Sequence, residues 1–556
     1  MSRKEGKVGY MALKIDMEKA YDRLEWHFIR DILNLYKFPM NLIKLIMSCI
    51  SSSSISVLFN GGKLDSFLLS RGIRQGDPLS PYLVIMCMEM LGVLIREKCE
   101  AKLWDPMKAS RNGPSFSHLF FADDLVLFAK ANWKNCCNVR ETLDSFCDIS
   151  GQKVSLHKSK VYFSPNVDPN LQEELCEILG MHSTPNLGKY LGFPLKLPGS
   201  STQDFNFVLD RVQSKLLGWK SKLLSMAGQV VLSQYVISAI PSYVMQGCVL
   251  PNRVLNGIDR VNRNFLWGST EEAKRMHMIN WKTVTKPKSK GGLGIYEAQG
   301  RNLAMAAKLC WRMDNAVDAK WAEVLKKKYQ YRPDISKGAK SRIWAAVRKG
   351  ASICEKGSKW VIGSNSTLCF WHDKWLSMGT VRSLIEGPLQ RGEENILVKD
   401  VICNGRWDLS NISFDFNDLV LQAILATPLR RVAESRDHKC WISSTNENFD
   451  TKNAYMLATG LSTHTPDFHG KWIWNLPTLP KIQFFLWKCL HLSLPVKSVL
   501  AHRGIEGLGG CDFCLESDED ILHVLRECPT TQNFWNAASC PPPPPPHCGV
   551  LSQLIC

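Results

Sequence analysis

The chain has 556 residues, 45% of them apolar and 22% charged, a balance that excludes disorder as the main state and leaves room for roughly three to five domains. Lysine and arginine number 69 against 52 aspartates and glutamates, a formal charge of +17, which suits a polyanionic partner such as nucleic acid or an anionic membrane face. No apolar run reaches the roughly 18–20 residues of a spanning helix; the nearest, Tyr82 to Ile95, is short and contains Glu89, so no membrane partner is expected.

At the N-terminus the apolar VGYMAL is interrupted by Lys14 and Asp16, which leaves no secretory core. The chain is therefore expected in the nucleus or cytoplasm. Its 20 cysteines are scattered rather than densely paired, as in a reduced protein whose thiols are core filler.

In chain order, MALKIDM reads as a strand running into a loop, with Leu13 and Ile15 inward and Lys14 outward. WHFIRDILNLY and the long run after Pro81 read as helices. HLFFADDLVLFA reads as two short strands around an acidic turn. The first part of the chain is thus expected to be α+β. From Asp204 to Tyr243 the spacing is helical, with Val208, Val212, Leu216 and Leu217 on one stripe and Arg211, Lys215, Lys220 and Lys222 elsewhere. Trp-rich, Gly-punctuated segments follow to about residue 460, read as helices and then short strands. Six prolines, Pro541 to Pro546, predict an extended polyproline II tail.

Two clusters carry chemistry. Asp16 ends the first strand, and Asp123 and Asp124 sit together at the tip of a hairpin, where like charges are costly unless cations neutralise them. Acids at two strand ends can converge on a pair of divalent ions about 3.5–4 Å apart, the arrangement that phosphoryl transfer to a 3′-hydroxyl requires. An adjacent acidic pair is also a good solvated turn, so the pattern alone leaves both readings open. Near the C-terminus, Cys511, Cys514, His523 and Cys528 follow the spacing C-x2-C-x8-H-x4-C. Three thiolates and one imidazole form a closed tetrahedral set suited to one structural Zn²⁺.

Five ordered blocks, LKIDMEKAYDRLEW, RGIRQGDPLSPYLVIMCMEML, HLFFADDLVLFA, SGQKVSLHKSK and KYLGFPL, resemble motifs A to E of the reverse transcriptase palm in non-LTR (LINE-type) retrotransposons, most closely those of plants. The resemblance implies an RNA-directed DNA polymerase with Asp16, Asp123 and Asp124 as ligands of two catalytic Mg²⁺, Asp123 the more direct of the pair. It implies that Lys158 assists departure of pyrophosphate, and that Tyr21 packs under the incoming sugar and favours deoxynucleotides. Gln75 and Gly76 would lie over the base pair. Phe121 stands where the family usually has tyrosine, and Gly192 would bend the primer-gripping hairpin. The implied partners are an RNA template, a DNA primer, their RNA–DNA hybrid and deoxynucleoside triphosphates.

By the same resemblance, the implied fold is α+β: a right-hand polymerase palm over 1–200, a helical thumb over 201–270, a Trp-rich mixed connection region over 271–465, a small zinc-binding module over 466–536 and a proline-rich tail over 537–556. The module would grip nucleic acid through His491, Lys497, His502 and Arg503 beside Trp487, unless these form an ordinary helix face. Only 15 residues precede Asp16, where the family carries an endonuclease and fingers, and no ribonuclease H follows the zinc segment. The chain is therefore expected to be a truncated polymerase of impaired activity. The alternative is an inactive remnant acting only as a nucleic-acid-binding zinc protein.

Overall fold

The computed structural model describes residues 6–110, 113–194, 202–216, 223–269, 273–315, 319–330, 341–429, 436–461, 466–505, 510–515 and 518–538. The chain divides into two compact units, residues 1–200 with 318–339, and residues 201–317 with 340–556. Leu217, Trp219, Lys220, Lys222 and the proline tail from residue 539 lie outside the described residues. Among the described residues no helix is long and apolar enough to cross a membrane.

The first unit is built on strand β1 (Tyr10–Ile15), helices α1 (Trp26–Leu35) and α2 (Ser80–Glu100), and the hairpin β2 (His118–Phe121) and β3 (Asp124–Lys130). Helix α3 (Trp133–Ser150), strand β4 (Lys160–Phe163), helix α4 (Pro169–Leu179) and strand β5 (His182–Ser183) follow. The five strands form one sheet in the order β5-β4-β1-β3-β2, antiparallel except for the β4–β5 pair.

Strand alternation gives this sheet two different faces. Met11, Leu13 and Ile15 of β1, with Leu125, Leu127 and Ala129 of β3, are buried in one core with Leu83, Cys87 and Leu91 of α2 and Val139, Leu143 and Phe146 of α3. Each such aliphatic side chain contributes roughly 1.5–3 kcal/mol through burial. The opposite face carries Lys14 and Asp124 beside buried Ala12 and Val126, and Asp16 follows directly after β1.

Helix α2 starts where the sequence predicts. The Asp77 carboxylate accepts from the Leu79 amide at 2.8 Å, and Pro81 stands in the first turn, where its missing N–H costs nothing. Helix α3 is capped by Asn132, whose side chain accepts from the Asn135 amide, and stops at Gly151 in the left-handed region. Past the sheet, β6 (Lys189–Tyr190) and β7 (Phe193–Pro194) form a tight hairpin that turns through Leu191 and Gly192, both at positive φ.

The second unit is mainly helical: α5 (Asn206–Leu216), α6 (Asn252–Trp267), α7 (Ala298–Asn315), α8 (Arg342–Gly357), α9 (Thr451–Ala458) and α10 (Pro480–Leu490). Strands β8 (Ser358–Val361) and β9 (His438–Trp441) pair antiparallel. Val208 and Val212 are buried as the helical stripe predicts, while Leu216 is only partly so. Several tryptophans are core: Trp371, Trp375 and Trp441 are fully buried, the first two in a cluster with Phe370, Val381 and Ile424.

Candidate active site and zinc centre

Asp16 stands one residue beyond β1. The ladder pairs Ile15 with Leu125, so the next step of the register sets Asp16 opposite Asp124, on the face away from the core. The pairing of Phe121 with Asp124 closes the hairpin with a two-residue loop of Ala122 and Asp123. Ala122 adopts φ 51°, a left-handed conformation that a non-glycine residue holds only at some cost. Asp123 is exposed at the loop tip and Asp124 is half-buried. The register thus places Asp16 and the Asp123–Asp124 turn at neighbouring strand ends, but the three carboxylates are not among the groups of described residues whose ligand atoms all lie within 4.8 Å of one another.

The backbone around Asp16 is held from the following motif. Its amide donates to Ser159 Oγ at 3.1 Å, and its carbonyl accepts from the Ser155 amide at 2.8 Å. Lys158, in the same turn, places Nζ 3.9 Å from Asp16 Oδ2. Buried Gln152 donates from Nε2 to the Ala20 carbonyl at 2.7 Å, and the Glu18 amide donates to the Lys153 carbonyl. Ser159 and Gln152 are positioning residues that the sequence reading passed over. Both lie inside SGQKVSLHKSK, but only their tertiary partners give them a task.

Two further pieces meet this edge. The Lys14 ammonium donates to the Lys189 carbonyl at 2.8 Å, which ties the β6–β7 hairpin to the site face of β1. Tyr190 of that hairpin has its phenol pushed above the ordinary value, by burial first and then by the charge of Asp124. The hydroxyl is thus a sequence-invisible neighbour of the acidic edge.

Tyr21 is half-buried against the core, and its carbonyl accepts from the Ile73 amide at 2.9 Å. Gly72 donates to the Leu24 carbonyl, and Trp26 Nε1 donates to the Gly72 carbonyl. A Cβ at Gly72 would lie 2.6 Å from the Asp22 carbonyl oxygen, so glycine is required for this approach. The contacts lay the RGIRQGDP segment along the turn that carries Tyr21. Gln75 and Gly76 are exposed just beyond it, Gly76 at φ 89°, and Phe121 is exposed on its hairpin.

In the second unit, the ligand atoms of Cys511, Cys514, His523 and Cys528 all lie within 4.8 Å of one another. Cys511 Sγ is 4.0 Å from Cys528 Sγ, and Cys514 Sγ is 3.3 Å from His523 Nε2. Ligands on a tetrahedral zinc stand about 3.4–3.8 Å apart given bonds of about 2.0–2.3 Å, so the donor set fits the ion. The His523 amide donates to Asp520 Oδ1, and Trp535 Nε1 donates to the Leu525 carbonyl, which anchor the segment around His523.

The basic, aromatic grip expected around this module needs correction. Trp487 is fully buried, and its Nε1 donates to the Gly291 carbonyl at 3.0 Å. His491 stacks on Phe468 and lies 2.7 Å from the same carbonyl. Lys497 is paired with Asp512 and donates to the Gly510 carbonyl. Arg503 donates to the carbonyls of His277 and Met278. Only His502 stands exposed without a contact of this kind. The helical pattern gave no sign that these groups would be used inside the unit, because their partners lie more than 190 residues away or in loops.

Comparison with known proteins agrees with this geometry. The family described as reverse transcriptase (RNA-dependent DNA polymerase) matches residues 2–195, and the family described as zinc-binding in reverse transcriptase matches residues 449–535. An Arabidopsis thaliana protein named as a ribonuclease H protein is 31% identical over 342 residues, 60% of this chain and 55% of that one. The Pol polyprotein of the type-2 retrotransposable element R2DM from Drosophila melanogaster is 32% identical over 157 residues, 28% of this chain and 14% of that one. A 149 kDa protein of the Xenopus laevis transposon TX1 is 24% identical over 290 residues, 51% of this chain and 21% of that one. The chain thus spans about half the length of the first of these and less of the others. Residues 2–195 thus match the reverse transcriptase family, and the chain has relatives among retrotransposon proteins.

Proposed function

We propose that the chain is the RNA-directed DNA polymerase of a non-LTR retrotransposon, adding deoxynucleotides to a primer 3′-hydroxyl on an RNA template. The observation that carries this reading is the register that sets Asp16 across from Asp124, beside Asp123, on the sheet face opposite Leu13 and Leu127. Such a donor set, all carboxylate oxygen, matches Mg²⁺ rather than a softer ion. A pair of Mg²⁺ held by Asp16, Asp123 and Asp124 would lower the pKa of the attacking 3′-hydroxyl and offset charge on the departing pyrophosphate.

The protein's own groups then have distinct tasks. Asp16 is fixed by Ser159 and Ser155, so its carboxylate needs little reorganisation on binding. Lys158 exchanges Asp16 for the pyrophosphate and delivers its proton there. Tyr21, backed by the Gly72–Ile73 segment, lies under the sugar and disfavours a 2′-hydroxyl. Gln75 and Gly76 border the base pair, Phe121 flanks the acidic turn, and the β6–β7 hairpin supports the primer end. One Zn²⁺ on Cys511, Cys514, His523 and Cys528 contributes to folding of the terminal module rather than to chemistry. In this reading, residues 1–200 are the palm, 201–270 a thumb, 271–465 the connection region and 466–536 the zinc module.

The test is primer extension on poly(rA)·oligo(dT) with magnesium. Incorporation of dTTP that Asp123→Asn abolishes supports the reading. Incorporation indistinguishable between the two proteins overturns it.

A further inference from the structure

Helices α7 and α8 touch through their backbones. A Cβ on Gly350 would lie 2.3 Å from the carbonyl of Ala306 and 2.5 Å from the amide of Ala307, so only glycine permits the approach. One turn further along each helix stand Cys310 and Cys354, both buried. The shared step of four residues directs the two thiols at each other across the seam. Asp314 occupies the next turn of α7. The sulfurs of Cys310 and Cys354 and a carboxylate oxygen of Asp314 all lie within 4.8 Å of one another.

The surroundings supply charge as well as geometry. Lys439 of β9 donates to Asp314 Oδ2 at 2.8 Å, and its ammonium lies 5.3 Å from the centre of the Trp360 ring. Ser358 donates to the Cys354 carbonyl at 2.7 Å and fixes the end of α8.

We propose that Cys310, Cys354 and Asp314 form a second metal site, for one thiophilic divalent ion of the zinc class, completed by water at the partly exposed Asp314 side. Two thiolates and one carboxylate carry three negative charges, and a divalent ion with the Lys439 ammonium carries three positive ones. The pocket is thus neutral with the ion bound. It is neutral without it too, when both thiols keep their protons and Asp314 pairs with Lys439. Two sulfurs select against Mg²⁺ and for Zn²⁺ or Cd²⁺. The ion would clamp two helices that meet through their backbones at Gly350 and Ala306, far in sequence from the terminal Cys/His centre.

The experiment uses the full chain, purified under reduction, stripped with chelator, loaded with Cd²⁺ and dialysed. Metal content is read by mass spectrometry and thiolate ligation by the ultraviolet charge-transfer band. Two ions per wild-type chain are expected, one in the Cys310→Ser/Cys354→Ser double variant, and a binding constant weakened about tenfold or more in Asp314→Asn at that same site. Should the double variant fail to fold, Asp314→Asn decides, since it preserves shape. One ion per wild-type chain, unchanged retention in these variants, or a Cys310–Cys354 disulfide in peptide maps of the unreduced, metal-free protein would overturn the proposal.

Discussion

Lys158 Nζ lies 3.9 Å from Asp16 Oδ2 across an edge where both side chains are largely open to water. An exposed pair of this kind is worth ~0–1 kcal/mol, so it does not hold the fold together. In the proposed mechanism its value is positional, a cation placed beside Asp16.

Lys158→Ala is therefore expected to leave thermal stability within ~0.5 kcal/mol of wild type and to reduce the turnover of primer extension by about 10²-fold. KM for the deoxynucleotide should change little. Steady-state kinetics with a melting control check both. A loss of stability with unchanged turnover would assign the lysine to structure.

Replacing Tyr21 by valine should open space under the sugar while the backbone contact to Ile73 remains. The ratio of ribonucleotide to deoxynucleotide incorporation is expected to rise by about tenfold or more, measured by extension with each triphosphate separately.

Gly151 ends α3 at φ 73°, and a Cβ there would meet Glu25 Cγ at 2.5 Å and the Arg23 carbonyl oxygen at 2.8 Å. Gly151→Ala should cost at least ~1–2 kcal/mol and should lower extension as well, because the adjoining Gln152 ties this loop to the segment after Asp16. Denaturant unfolding beside an extension assay tests the coupling.

Asp259 gives a pH prediction for the second unit. Its carboxyl is pushed up to about 7, by burial first and then by Glu297 among the charges, although the Ala298 amide donates to it at 3.0 Å. The folded state thus binds the proton more tightly than the unfolded chain, whose value is near 3.8. This stabilisation is complete below about pH 4, declines as pH rises, and is gone once pH passes the folded value near 7. Asp259→Asn should flatten that decline and raise Tm at pH 8 relative to wild type, by roughly 2–4 °C per kcal/mol recovered, with little gain at pH 4. Calorimetry at the two pH values checks the sign.

Much of the acidic edge was legible in the residues. Alternating apolar positions in MALKI and LVLFA fix which side chains face inward, and ADD between two apolar runs marks a tight turn. Those two facts place Asp16, Asp123 and Asp124 at strand ends, and the family resemblance supplied the pairing that local pattern cannot. The four zinc-type ligands were legible from spacing alone. What failed was the assignment of long-range partners. Trp487, His491 and Lys497 read as a basic aromatic face because local sequence does not reveal the Gly291 carbonyl or the Asp512 carboxylate. Tyr190 and Ser159 were missed for the same reason, as was the seam between Gly350 and Ala306.

Convergence of the acids on shared metal is tested most directly by replacing Mg²⁺ with Fe²⁺ and letting ascorbate and peroxide generate radicals that cut the chain beside the ion. Cleavage is expected at two places at once, next to Asp16 and next to Asp123–Asp124, suppressed by excess Mg²⁺ and lost at both places together in Asp16→Asn. Cleavage near the hairpin that persists unchanged in Asp16→Asn, with none beside residue 16 in wild type, would contradict the shared site and the polymerase reading with it.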